Sequence, residues 1–234
     1  VAIAIDASTP ALVDAVDAAT TASFTAPTDS LLVALCAFGG GTGTNTISNS
    51  GTALTWTMRV NHQIGEDTGA YSATATIFTA VAPTAVARTV TATAGAGFSQ
   101  VSMKLLVVTG TDTTSPVGAV GENHSTTANL TASVYTSTVA NSRAVGIATD
   151  SLDGATPTSS DVGFGIAPGD EYSGVAVYKA ADTALVGSAV TLNFNGSGSR
   201  NWNWAAIEVL PAVVPFLAPR PLVLGQAVNR AANF

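Results

Sequence analysis

The chain has 234 residues, of which 47% are hydrophobic and only 10% charged, with a formal net charge of −7. Its length suits one large domain or two small ones. The acid excess argues against binding driven by phosphate neutralisation, and no apolar run approaches the ~20 residues of a membrane-spanning helix.

In chain order, the first segment with a regular pattern is TPALVDAVDAA (residues 9–19), the one stretch compatible with a short helix. After it come short alternating or continuous apolar segments rich in Val, Ile, Thr and aromatic residues, parted by Gly, Asn, Asp, Ser and Pro clusters, which is strand chemistry. These are TASFTA (21–26), SLLVALCAF (30–38), LTWTMRVNH (54–62), YSATATIFTAV (71–81), RTVTATA (88–94) and VSMKLLVVTG (101–110). The second half adds LTASVYTST (130–138), SRAVGIATD (142–150), GVAVYKA (174–180), AVTLNFN (189–195) and NWNWAAIEVL (201–210). The fold expected is all-β, an antiparallel jelly-roll-like β-sandwich over residues 1–210, followed by an extended C-terminal arm over 211–234. Two packed halves meeting near 110–118 are the alternative domain plan.

Little in this pattern points to catalysis. GGGTGTNTISNSGT (39–52) has no phosphate-binding Lys and no helix after it, so it is read as a loop and not a P-loop. His62 and His124 are the two bases available to a nucleophile; His62 ends a strand beside polar neighbours and His124 lies in a polar loop, so both are read as solvated groups. Cys36, the one cysteine, sits in an apolar strand as small core filler, which leaves no internal disulfide and no zinc cluster. Asp150, Asp153, Asp161, Asp170 and Glu171 are read as solvated loop acids, with a calcium site as the alternative. No pair of carboxylates declares itself as a glycosidase couple. Trp202 and Trp204 share one face of their strand, as does Trp56 with its own neighbours, and all three are assigned to packing. For sugar binding, Tyr172 is taken as the exposed aromatic that would contact a glycan. The sequence implies no enzyme, cofactor or metal.

The phrases TASFTAPTDSLLVAL, ISNSGTALTWTMR, LLVVTGTDTTSPVGA, YTSTVANSRAVGIATD, GVAVYKAADT and WNWAAIEVLPA together resemble a β-sandwich domain family of tail and other virion proteins of bacteriophages that infect actinobacteria. The likeness spans residues 20–212. It implies a virion structural protein, a minor tail protein or a capsid decoration protein. Assembly would take place in the host cytoplasm, consistent with the lack of a recognisable Sec signal at the start of the sequence. The partners implied are other capsid or tail subunits and a homo-oligomer, with a trimer expected. A carbohydrate-binding adhesion module that touches a host-surface glycan is the alternative; neither nucleic acid nor membrane insertion is expected.

The arm, LPAVVPFLAPRPLVLGQAVNRAANF from Leu210 onward, differs from the body. All fifteen carboxylates precede Pro211, whereas the arm carries Arg220 and Arg230 and four prolines. Prolines remove donors and prevent a private helix. An arm presenting Val213, Val214, Phe216, Leu217, Leu222, Val223, Leu224 and Phe234 needs a surface to cover it, since burying each large side chain gains roughly 1.5–3 kcal/mol. That surface is either a neighbouring subunit, reached by strand addition, or the chain's own sandwich, with Arg220 and Arg230 pairing with acidic groups.

Overall fold

The computed structural model describes residues 2–39, 44–63, 73–97, 100–150, 156–167, 172–196 and 201–213, and among them every regular element is a strand. The first half supplies β1 (Ala4–Ile5), β2 (Val13–Val16), β3 (Ala18–Thr20), β4 (Phe24–Thr25), β5 (Ser30–Gly39), β6 (Thr46–Asn49), β7 (Thr57–His62), β8 (Thr74–Ala82), β9 (Ala87–Arg88), β10 (Val90–Thr93) and β11 (Gln100–Thr109). The second half supplies β12 (Val117–Ser125), β13 (Asn129–Thr136), β14 (Arg143–Asp150), β15 (Val162–Ile166), β16 (Ser173–Tyr178), β17 (Ala189–Asn195) and β18 (Trp202–Val209). Every ladder between them is antiparallel.

The two halves are wound alike. In the first, β11 pairs with β1 and β2 on one side and β5 on the other, and the sheet continues through β8 to β7; β3, β10 and β6 make a smaller second sheet. In the second half the large sheet runs β12, β18, β14, β16, β15, and β13 with β17 forms the small one. An isolated bridge from Thr158 to Asn195, at the end of β17, stands where β6 pairs with β10 in the first half. The last strand of each half therefore returns into the middle of its large sheet, β11 between β1 and β5 and β18 between β12 and β14, the Greek-key wrapping of a jelly roll. The single sandwich expected over residues 1–210 is thus a pair stacked in series, with the changeover in the 110–116 connector.

Alternation of side chains explains the stacking. All ten residues of β5 are buried. Its Leu31, Val33, Leu35 and Ala37 face one core, while Leu32, Ala34, Cys36 and Phe38 face another. The first core is the seam between the halves, where these residues meet Val145, Ile147, Ala205, Ile207 and Val209 of β14 and β18. The second lies between the large and small sheets of the first half, with Ala19, Val90 and Ala92. A third fills the second half, where Trp202, Trp204 and Ala206 meet Val134, Val190, Leu192 and Phe194. The order of layers is small sheet, large sheet, large sheet, small sheet.

Both central strands start in the same way. Asp29 (φ 60°) and Asn141 (φ 62°) adopt the left-handed backbone that short polar side chains tolerate, and each precedes a buried serine, Ser30 as the first residue of β5 and Ser142 just before β14. The short helix expected over 9–19 is instead β2 and β3, turned at Asp17 (φ 64°). Val13 and Ala15 pack on the core while Asp14 and Val16 are exposed, a period of two and not of 3.6.

The packing assigned to the tryptophans holds for Trp202 and Trp204, both buried in the third core, and Trp56 lies half-buried at the rim of the second with its Nε1–H donating to Asn49 Oδ1 at 3.2 Å. Trp204→Ala is expected to cost about 3–5 kcal/mol of stability and Trp56→Ala clearly less. Urea unfolding followed by circular dichroism measures both, and equal losses would contradict the core assignment.

Candidate functional site

Among the described residues, those that sequence reasoning set aside for chemistry are not brought together into a group that could hold a metal ion. His62 sits at the end of β7 against β12 of the other half, with Nδ1 3.6 Å from Glu122 Oε2. It is mostly buried, not a solvated strand end, and burial pushes its pKa down against the opposing pull of Glu122. His124 is exposed on β12, so it belongs to a strand and not to a loop. Cys36 is fully buried and desolvation drives its thiol pKa far up, away from nucleophilic use. Asp161 accepts from Lys179 Nζ at 2.7 Å and from Asn193, and Asp150 is buried and accepts from the Asn201 N–H. Asp153, Asp170 and Glu171 lie outside the described residues.

Tyr172 requires a correction. It is fully buried, not exposed, and its ring belongs to the seam core. Its hydroxyl donates to Ala37 O at 3.2 Å and lies 2.7 Å from Ser102 Oγ, both in the other half. A sugar has no access to that ring. Two more polar contacts cross the same seam. Asn203 Nδ2 donates to Ala73 O at 2.9 Å. Lys104, on β11, donates to Pro10 O at 2.6 Å and lies 4.2 Å from the ring centre of Phe164 in the second half.

The feature left for a function is the end of the molecule where the chain departs. Beyond the ends of β11 and β18 the two connectors clasp each other: Asp112 N–H donates to Leu210 O, Ala212 N–H to Gly110 O, and Thr111 bridges Pro211. Val213, the last described residue, is 77% exposed. Thr28, Asp29, Asp112, Thr113 and Val213 line a shallow groove at this exit. The Asp112 carboxylate accepts from the N–H groups of Ser115 and Thr114, which lower its pKa and keep it charged. Of the arm residues, Val213 is described; Val214, Phe216, Leu217, Arg220, Leu222, Val223, Leu224, Arg230 and Phe234 lie outside the described residues.

Glu208 fixes this exit from below. Its side chain leaves β18 on the face opposite Ile207 and Val209, and no part of the residue is exposed. The carboxylate accepts from the N–H groups of Ala119, Thr138 and Val139 and from the Thr138 hydroxyl, the last at 2.6 Å. Burial alone would raise its pKa, but the Thr138 hydroxyl and the backbone donors outweigh it and hold the group below the usual carboxylate range. One charge thereby ties β12 and the β13–β14 turn to the last strand before the arm. Sequence reasoning missed it, although a lone Glu inside the apolar run WAAIEVL was a usable signal.

Two outcomes follow. Tyr172→Phe is expected to destabilise by about 1–3 kcal/mol, because Ser102 and the Ala37 carbonyl lose a buried partner; a variant as stable as the parent in thermal unfolding would refute the seam bond. The Glu208 pKa is lowered on folding, so its contribution is present above the unfolded carboxylate pKa and is lost as pH falls through the lower folded value. Glu208→Gln should cost about 2–3 kcal/mol at neutral pH and flatten that acid limb of a stability–pH profile. No family model matches the chain, and no similar curated protein or solved structure was found.

Proposed function

We propose that this chain is a non-enzymatic structural protein of a bacteriophage virion, a minor tail protein or a capsid decoration protein, held in the particle and to its own copies through residues 211–234. The observation that carries this reading is the exit of the chain. Among the described residues the last backbone bond to the body is Ala212 N–H to Gly110 O, and an exposed Val213 precedes a segment with no acidic side chain, two arginines and most of its bulk apolar. Segments of that composition are covered when they meet another surface.

The body supports the same reading. The phrases that resemble virion β-sandwich domains run along strands that build the cores, TASFTAPTDSLLVAL through β4 and β5, and WNWAAIEVLPA through β18 to the exit. Acidic Asp29 and Asp112 at the exit complement Arg220 and Arg230 of an arm arriving from a neighbour. Stacked sandwiches with three apolar cores form an extensive packed body, which suits a part of a particle.

Truncation after Val213 tests this. The full chain is expected to form an oligomer, a trimer in the simplest case, and to enter particles, while residues 1–213 remain folded, monomeric and excluded. Light scattering and particle composition report the two. A full chain that is monomeric and absent from particles, or a truncated one that assembles as well as the parent, overturns the proposal.

A further inference from the structure

A second groove lies beside the exit, between the start of β7, the end of β8 and the 110–116 connector. Leu54, Thr57, Arg59, Thr79, Pro83 and Thr114 are among its lining residues. Arg59 is held in place from below: its Nε–H donates to Thr79 Oγ1 at 2.7 Å, and Thr79 is itself buried. The terminal nitrogens of the guanidinium have no bond to any described residue.

That sets Arg59 apart from the other described cations. Arg143 pairs with Asp182 at 2.7 Å and Lys179 with Asp161 at 2.7 Å. Arg88 donates to the carbonyls of Val86 and Thr84, and Lys104 to Pro10 O beneath the Phe164 ring. Arg88 also lacks a carboxylate, but Arg59 is the described guanidinium that has neither a carboxylate nor a backbone carbonyl as partner among the described residues. Burial lowers the pKa of Arg59, as it does for Arg88 and Lys104, because each has lost part of its water.

We infer that this groove binds the carboxylate of an acidic saccharide, with Arg59 as the anion-binding residue. The planar fork of a guanidinium matches a carboxylate through two parallel N–H bonds. Around it, the hydroxyls of Thr55, Thr57, Thr113 and Thr114 can exchange hydrogen bonds with sugar hydroxyls, and Leu54 and Pro83 offer apolar contact to the C–H face of a ring. The arm has no acidic side chain to fill the site. This inference stands apart from the assembly reading and survives if that reading fails. A single forked pair in an open groove gives weak binding, a Kd on the order of 1 mM, that weakens further as salt screens the charge.

Amide chemical-shift titration of the full chain with glucuronate, with glucose as the neutral twin and with acetate as the bare carboxylate, tests it. Glucuronate is expected to shift residues 55–59, 79–81 and 113–114, with acetate weaker and glucose inactive at matched concentration. Arg59→Gln should raise Kd at least about tenfold. Thr114→Glu, at an exposed position that leaves the cores untouched, should do the same by placing a competing carboxylate in the groove. Glucose acting as well as glucuronate, acetate binding as tightly as glucuronate, no shift at ~20 mM glucuronate (on the order of twenty times the expected Kd), or unchanged affinity in both variants would each overturn the assignment.

Discussion

The architecture depends on strands that are apolar on both faces. β5 has no exposed residue, and β14 and β18 are likewise buried along their whole lengths. A sheet built on such strands cannot be an outer layer, since each face must be covered to remove its side chains from water. The small sheets cover one face in each half. The other face can be covered only by its counterpart, which is why Leu31, Val33 and Leu35 meet Val145, Ile147 and Ile207 across the seam. The four layers are the arrangement that leaves neither large sheet with a wet apolar face.

Apolar contact alone would let the two large sheets slide over each other, because its energy depends on area and not on direction. Directional bonds fix the register. Tyr172 reaches Ser102 and Ala37, Asn203 reaches Ala73, and Lys104 sits over Phe164. The Tyr172 hydroxyl and the Asn203 amide would lose buried partners in another alignment, whereas Lys104 would keep its bond to Pro10 O and lose only its ring contact. Glu208 does the same at the chain exit, where four donors converge on one carboxylate. The polar groups inside this protein specify position, while the apolar ones supply the driving force.

Much of this was legible in the residues. The continuous run SLLVALCAF reads as a fully buried strand, and the lack of a polar face around Trp202 and Trp204 reads as a strand covered on both sides. Other parts were hidden for physical reasons. β12 is edge-like, its exposure alternates irregularly around a register shift, and Gly121 lies so near β13 that a Cβ there would come within 1.7 Å of the Val134 carbonyl. Its glycines are therefore demanded by close approach, although in sequence they look like loop. Residues 9–19 mislead because VDAV fits both periods over so short a span. The doubling of the sandwich did leave a trace: Asp29-Ser30 is matched by Asn141-Ser142. Pairs this short emerge from Thr- and Ala-rich background only once the topology shows which strands correspond. The reading of Tyr172 as exposed failed for the same reason, since its burial depends on a seam that no local pattern encodes.

The composition of the surface bears on how such a molecule can associate. With only 10% of its residues charged, it has few charges with which to steer a partner at long range. Association must then come from short-range contact, either apolar burial along an extended segment or a specific polar site such as the Arg59 groove. Contacts of that kind form slowly in dilute solution but hold well once partners are concentrated and oriented, as they are on a growing assembly. The Arg59 groove and the groove beside Val213 share Thr113 and Thr114, so both lie at one end of the described body.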